Sequence, residues 1–139
     1  MSRTQTDMVA LLGRILMSVI FINGGLNKLM APAGTIKYIA ASGLPMPEAA
    51  YAVAVLVELG GGLAILLGFR VLWAALALAG FCLVTATAVH YVPGDRGQMI
   101  NFWKNLTMAG GFLQLAALGG GGWSIDAFRA RRRREALAA

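Results

Sequence analysis

Residues 71–92 read VLWAALALAGFCLVTATAVHYV, and these positions decide the fold. No Asp, Glu, Lys or Arg interrupts them. A hydrocarbon core of ~30 Å is crossed by about 20 residues of α-helix, and the Ala- and Leu-rich composition favours helix over strand. Working outward, three further apolar runs cover residues 8–30, 49–68 and 102–118. None shows the period-2 alternation of a membrane barrel, and helices or closed barrels alone satisfy backbone polar groups in lipid. The expected fold class is therefore all-α, an integral membrane four-helix bundle over residues 1–126, followed by a basic cytoplasmic tail over 127–139. Composition agrees: hydrophobic residues make up 58% and charged residues 13%, against about 25% charged in soluble domains.

The first run resembles a signal peptide in position. Arg14 interrupts it and no A-x-A site follows, so it reads as a retained helix. With four spans both termini share a side. That side holds Arg3, Arg14, Arg70 and the cluster Arg129, Arg131, Arg132, Arg133 and Arg134, eight of the twelve basic residues. Lys28, Lys37, Arg96 and Lys104 lie on the other. The positive-inside rule places both termini in the cytoplasm. The tail arginines read as a juxtamembrane cluster facing anionic lipid rather than a nucleic-acid platform, since no aromatics interleave them. Between the first two spans, Pro32, Gly34, Gly43, Pro45 and Pro47 break the helix. They leave residues 35–41 as a short interfacial helix with Ile36, Tyr38 and Ile39 toward lipid.

The chain has one cysteine, Cys82, and one histidine, His90. An intrachain disulfide, a CxxC pair, a tetrahedral zinc site and a bis-His haem site are all excluded as self-contained units. No metal site and no intrinsic cofactor is expected, and a bound quinone is the candidate ligand.

Ionisable groups inside spans default to pairing or function. Glu58 falls roughly 12 Å below the outer boundary and Arg14 roughly 9 Å above the inner one, at 1.5 Å per residue. The expected intramembrane pair is Arg14–Glu58, with Lys104 as the competing partner for the carboxylate. Its two readings are a staple fixing the register of the first two helices and a protonation-linked or substrate-contacting role. Glu58 is the catalytic candidate under the second. At 100° per residue Arg14, Ser18, Phe21, Gly25 and Lys28 share one inward face of the first helix. Lys28, His90, Asn101, Lys104 and Asn105 belong near the outer boundary. They are expected either to form a pocket suited to an anion, a quinone head group or a carboxylate, or to be snorkelling interface residues. Gly60, Ala64 and Gly68 follow the small-xxx-small spacing of closely packed helices.

Several of these segments, in order, resemble the DoxX family. They are Gly13-Arg14 with Phe21, Asn23-Gly24-Gly25-Leu26-Asn27-Lys28-Leu29, and Gly43-Leu44-Pro45. Glu58-Leu-Gly-Gly-Gly-Leu-Ala-Ile-Leu-Leu-Gly68, Phe102-Trp103-Lys104-Asn105-Leu106 and residues 119–126 complete the pattern. The resemblance implies a four-helix bacterial inner-membrane protein. Its family is linked to sulfur metabolism, quinone-coupled thiosulfate oxidation and oxidative-stress complexes, and some members are small subunits of quinone-linked oxidoreductases. Arg14, Lys28, Glu58, Lys104 and Asn105 match the polar positions of that pattern. The leading expectation is an accessory or anchoring subunit of a membrane redox complex, with redox subunits, lipid and a second copy of the chain as partners. The alternatives are a quinone- or small-molecule-binding oxidoreductase using Glu58 for proton transfer, and a small-solute permease.

Overall fold

The computed structural model describes residues 1–138. Ala139, the end of the expected basic tail, lies outside the described residues. Six helices account for most of the described chain: α1 (Arg3–Met30), α2 (Pro32–Ala41), α3 (Pro47–Leu67), α4 (Val71–His90), α5 (Arg96–Leu118) and α6 (Ile125–Ala138). Helices α1, α3 and α4 are long and apolar enough to cross a membrane.

The apolar runs mark the helices but not their ends, which capping sets. The Ser2 hydroxyl accepts from Gln5 N and the Gln5 side chain returns to Ser2 N, a capping box that starts α1 before its apolar run. Asp95 accepts from Gln98 N at 3.0 Å, so α5 begins at Arg96 rather than at Phe102. Pro32 and Pro47 stand in the first turns of α2 and α3, where a missing N–H costs nothing.

Packing runs in the order α1–α3–α4–α5. The shared core is Phe21, Ile65, Val71, Ala75, Leu78, Ala79, Cys82, Ala109 and Phe112. Small side chains dominate α4's contribution, which lets backbones approach. Gly25 does the same for α1: a Cβ there would stand 2.5 Å from Leu59 Cγ and 3.2 Å from Leu59 N. Arg14, Ser18, Phe21 and Gly25 are the buried residues of α1, the face that the 100° spacing selects. Outside this core, Leu16, Val19, Leu56, Trp73, Val84 and Leu118 are exposed. In water such a surface would be a liability, whereas acyl chains cover it at no cost.

Two of the long helices change gauge. Residues Leu56–Gly61 of α3 and Ala86–His90 of α4 form π-helical turns. Each widens the helix by one residue per turn and re-aims the side chains on it.

The short helix between α1 and α3 departs from expectation. It starts at Pro32, and Ile39, expected toward lipid, is buried. The reason is that α2 folds back against α3, so its apolar side faces protein.

Candidate functional site

The end of the molecule that carries the chain termini is tied by polar contacts to backbone. Arg14 is 1% exposed and extends toward the last turn of α3. Its Nη1 donates to Ile65 O at 3.3 Å and Leu66 O at 3.0 Å, and its Nη2 donates to Trp123 O at 2.5 Å. The last carbonyls of a helix have no partner within the helix, so a buried guanidinium serves here as a C-terminal cap. Gly68 closes α3 with φ +68, and a Cβ on it would collide with the Arg14 guanidinium and with Ser124. Asp126 performs the matching task for α4. Its Oδ1 accepts from Arg70 N and its Oδ2 from Val71 N, both at 2.9 Å, while Asp126 N donates to Gly68 O at 3.0 Å. Asp7 Oδ1 accepts from Gly122 N at 2.6 Å. The 119–124 segment is thereby bolted to α1, α3 and α4. Asp126→Ala leaves the N–H of Val71 at the start of α4, and that of Arg70 just before it, without their acceptor and should cost about 1–2 kcal/mol. Reversible unfolding in mixed micelles reads it, and an unchanged midpoint would contradict the capping role.

The opposite end holds an ion pair. Lys28 Nζ lies 2.7 Å from Glu58 Oε2 and 3.0 Å from Oε1, with hydrogen-bond geometry only to Oε1. Glu58 is 8% exposed and stands on the π turn of α3. Gly24 clears its space, since a Cβ there would come within 3.3 Å of Glu58 Oε1. The Arg14–Glu58 pair expected from the sequence is therefore corrected to Lys28–Glu58. Arg14's acceptors Ile65 and Leu66 lie about two helical turns beyond Glu58, roughly 10 Å further along α3.

Next to the pair is a cavity of about 650 Å³, lined by residues of α1, α2, α3, α4 and α5. Its walls are mostly apolar: Phe21, Ile39, Val53, Phe81 and Met108 are among them. Lys28, Glu58, Thr35, Tyr38, Thr85, His90 and Asn105 supply the polar groups. His90 stands on the second π turn, so both widened segments face this space. Its Nδ1 is 2.8 Å from Gln98 Oε1. Thr85 Oγ1 donates to Asn105 Oδ1 at 3.2 Å, and Asn105 Nδ2 donates to Asn101 O at 2.9 Å. A volume in the range of small-molecule pockets, apolar walls and a few convergent polar groups are the marks of a ligand site. π turns recur at such sites.

Of the five residues expected at the outer-end pocket, Lys28, His90 and Asn105 line the cavity. Asn101 supports it through a backbone carbonyl. Lys104 is exposed on the other side of α5 and lines a separate groove. Glu58 was expected apart from this group and joins it. Tyr38, Thr35 and Thr85 were not anticipated. Their signal is faint, because Thr and Tyr occur anywhere along a membrane helix. Among the described residues no group of three His, Cys, Asp or Glu side chains could hold a metal ion.

An all-helical chain with spans of membrane length, a lipid-facing apolar surface and a buried polar cluster is an integral membrane protein. Residues 9–91 match the sequence profile of the DoxX family, more than half of the chain, and the protein belongs to that family. It is similar to the inner membrane protein YqjF of Escherichia coli (strain K12), with 44% identity over 123 residues, covering 86% of this chain and 91% of that one. It is also similar to the inner membrane protein YphA of the same organism, with 40% identity over 121 residues, 84% of this chain and 86% of that one. Both names place their proteins in the inner membrane, and this chain is a multi-pass inner-membrane protein. No solved structure matches it significantly.

Proposed function

We propose that this protein is an accessory subunit of a quinone-linked redox assembly in the inner membrane, and that its cavity takes a quinone-like head group. The observation that carries this reading is the Lys28–Glu58 pair at the wall of an apolar cavity, with His90 and Asn105 on the same space. A quinone head has carbonyl oxygens that accept hydrogen bonds and a ring that prefers apolar walls. Lys28 Nζ and the Asn105 amide are donors, and Phe21, Phe81 and Met108 supply the walls. The chain's single cysteine and single histidine give it few ligands for a redox centre of its own, so a partner subunit would carry the electrons.

In this reading four helices span the bilayer. Helix α5 has 23 residues, roughly 35 Å at 1.5 Å per residue, and its polar residues cluster toward its start. Both termini lie in the cytoplasm, by the eight-to-four division of Lys and Arg. The cavity then opens at the periplasmic side of the membrane. Native mass spectrometry of the mildly solubilised protein tests this: a quinone-mass adduct and a co-purifying redox subunit are expected. Protein carrying neither overturns the reading.

A second reading is favoured by the burial of Glu58 beside the cavity. A carboxylate there suits proton transfer to or from a bound substrate. Under this reading Glu58→Gln abolishes turnover in the intact assembly while the protein still folds, and a fully active Gln variant removes it.

A further inference from the structure

We propose that the cavity is filled sideways from the lipid phase, through the seam between α1 and α5. The ligand would then be a polar head at Lys28 and Glu58 carrying an apolar tail that leaves past Ile20 and Met108. This inference rests on the ligand-binding reading above and deepens it by naming the ligand class, an amphiphile with at least one long chain, and its route.

Helices α1 and α5 stand at the two ends of the packing order, so their seam is the open side of the bundle. They meet through long side chains rather than close backbones. The Phe21 and Phe112 rings pack edge to face at 5.2 Å, and the Met17 methyl fills the space over Gly111. Beyond these contacts lies a groove of about 470 Å³ lined by Ile20, Ile100, Trp103, Lys104, Thr107 and Met108. Ile20 and Met108 line the cavity as well. The two spaces therefore share a wall formed by two apolar side chains, Ile20 and Met108. Met is unbranched and adapts its shape readily. Ile20, Ile100 and Trp103 are exposed on the groove side.

The groove's walls are almost wholly apolar, so a tail lying in it exchanges one hydrocarbon environment for another and meets no penalty. A tail leaving toward water would meet the full hydrophobic cost. The cavity's charged pair is Lys28–Glu58, so a head anchored there leaves its remaining atoms to the apolar lining, which includes Phe21, Phe81 and Met108. Lys104 lines the groove and is exposed, so its long side chain can reach toward leaflet head groups. Both a quinone and a membrane lipid have this chemistry, and the experiment separates them.

Binding of decylubiquinone and of its tailless parent quinone is compared in the detergent-solubilised full chain, beside lysophosphatidylglycerol and glycerophosphoglycerol. Met108→Trp and, from the opposite wall, Ile20→Trp narrow the passage. Each should weaken the tail-bearing probe by about tenfold, because the added ring fills space the tail would occupy and rigid packing yields only at a cost, and leave the tailless one unchanged. A Trp variant that weakens both forms equally, or neither, overturns lateral entry while the cavity reading survives. If only the lysophospholipid binds and the Trp variants exclude it, the route holds and the quinone reading falls. Wild-type protein that binds no tail-bearing probe overturns both. A second measurement needs no variant: a photoreactive group at the tail's end should label Trp103, Thr107 or Ile20. Labelling spread over the exposed face of α4 at Leu72, Trp73 and Leu76 overturns the route.

Discussion

Arg14→Ala is expected to destabilise the protein by about 3–5 kcal/mol, because it removes several charge-assisted hydrogen bonds and leaves both a void and unpaired carbonyls. The void alone is substantial, since Arg14 is among the largest fully buried side chains. The groups left without this donor are Leu66 O at the end of α3 and Trp123 O in the 119–124 segment, while Ile65 O keeps only its bond from Gly68 N. In hydrocarbon no water replaces the lost donor. Arg14→Lys is expected to recover only part of the loss. An ammonium is a compact charge on a flexible stem and lacks the planar fork that reaches two helix-end carbonyls and a loop carbonyl together. Reversible unfolding by SDS titration in mixed micelles measures both variants. An Arg14→Ala protein as stable as the parent would mean that the guanidinium does not cap α3. The loss should also show as earlier proteolysis within residues 119–124, since that segment is held by Arg14, Asp7 and Asp126 together.

The helices were legible because lipid imposes a strong constraint: apolar runs of spanning length have few alternatives. The 100° spacing on α1 also selected its buried face correctly at Arg14, Ser18, Phe21 and Gly25. What escaped was where long side chains reach. Backbone depth alone suggested that Arg14 and Glu58 could meet. Yet Arg14 extends toward helix-end carbonyls, which no pattern of charges reveals, and Lys28 bends back from the end of α1 to the carboxylate. The better signal was present in the face count, because Lys28 shares the inward stripe with Arg14. A lysine at a helix end spans several ångströms and is a natural partner for an acid one or two turns deeper. The partners in the loops were harder still. Asp126 caps a helix that begins 55 residues earlier, a pairing that only the folded chain brings about. The gauge changes in α3 and α4 had one hint, the Gly60-Gly61-Gly62 run beside Glu58, where weak helix propensity lets the turn widen. The second, at Ala86–His90, has no comparable sequence signal.

The Lys28–Glu58 pair separates stability from function more cleanly than any other site. Lys28→Met should cost about 3–5 kcal/mol, because it leaves a buried carboxylate without its partner. Glu58→Leu alone strands the ammonium less severely, since Lys28 is half-buried and can swing toward water. The double variant Lys28→Met/Glu58→Leu is expected to regain stability to within about 1 kcal/mol of the parent, as buried pairs replaced by apolar residues commonly do. A double variant as unstable as Lys28→Met would show that the pair is not one energetic unit. The same cycle tests the corrected pairing: Arg14→Met and Lys28→Met should be additive to within about 0.5 kcal/mol, as separate sites are. Strong coupling between them would mean that Arg14 and Lys28 share the carboxylate after all. The double variant then isolates the functional question. It keeps the fold and the cavity but offers an apolar wall where the ion pair stood. If the pair exists to hold a polar head, this folded protein loses binding while Arg14→Met, at the far end, retains it. If it is only a staple between α1 and α3, the double variant binds as the parent does.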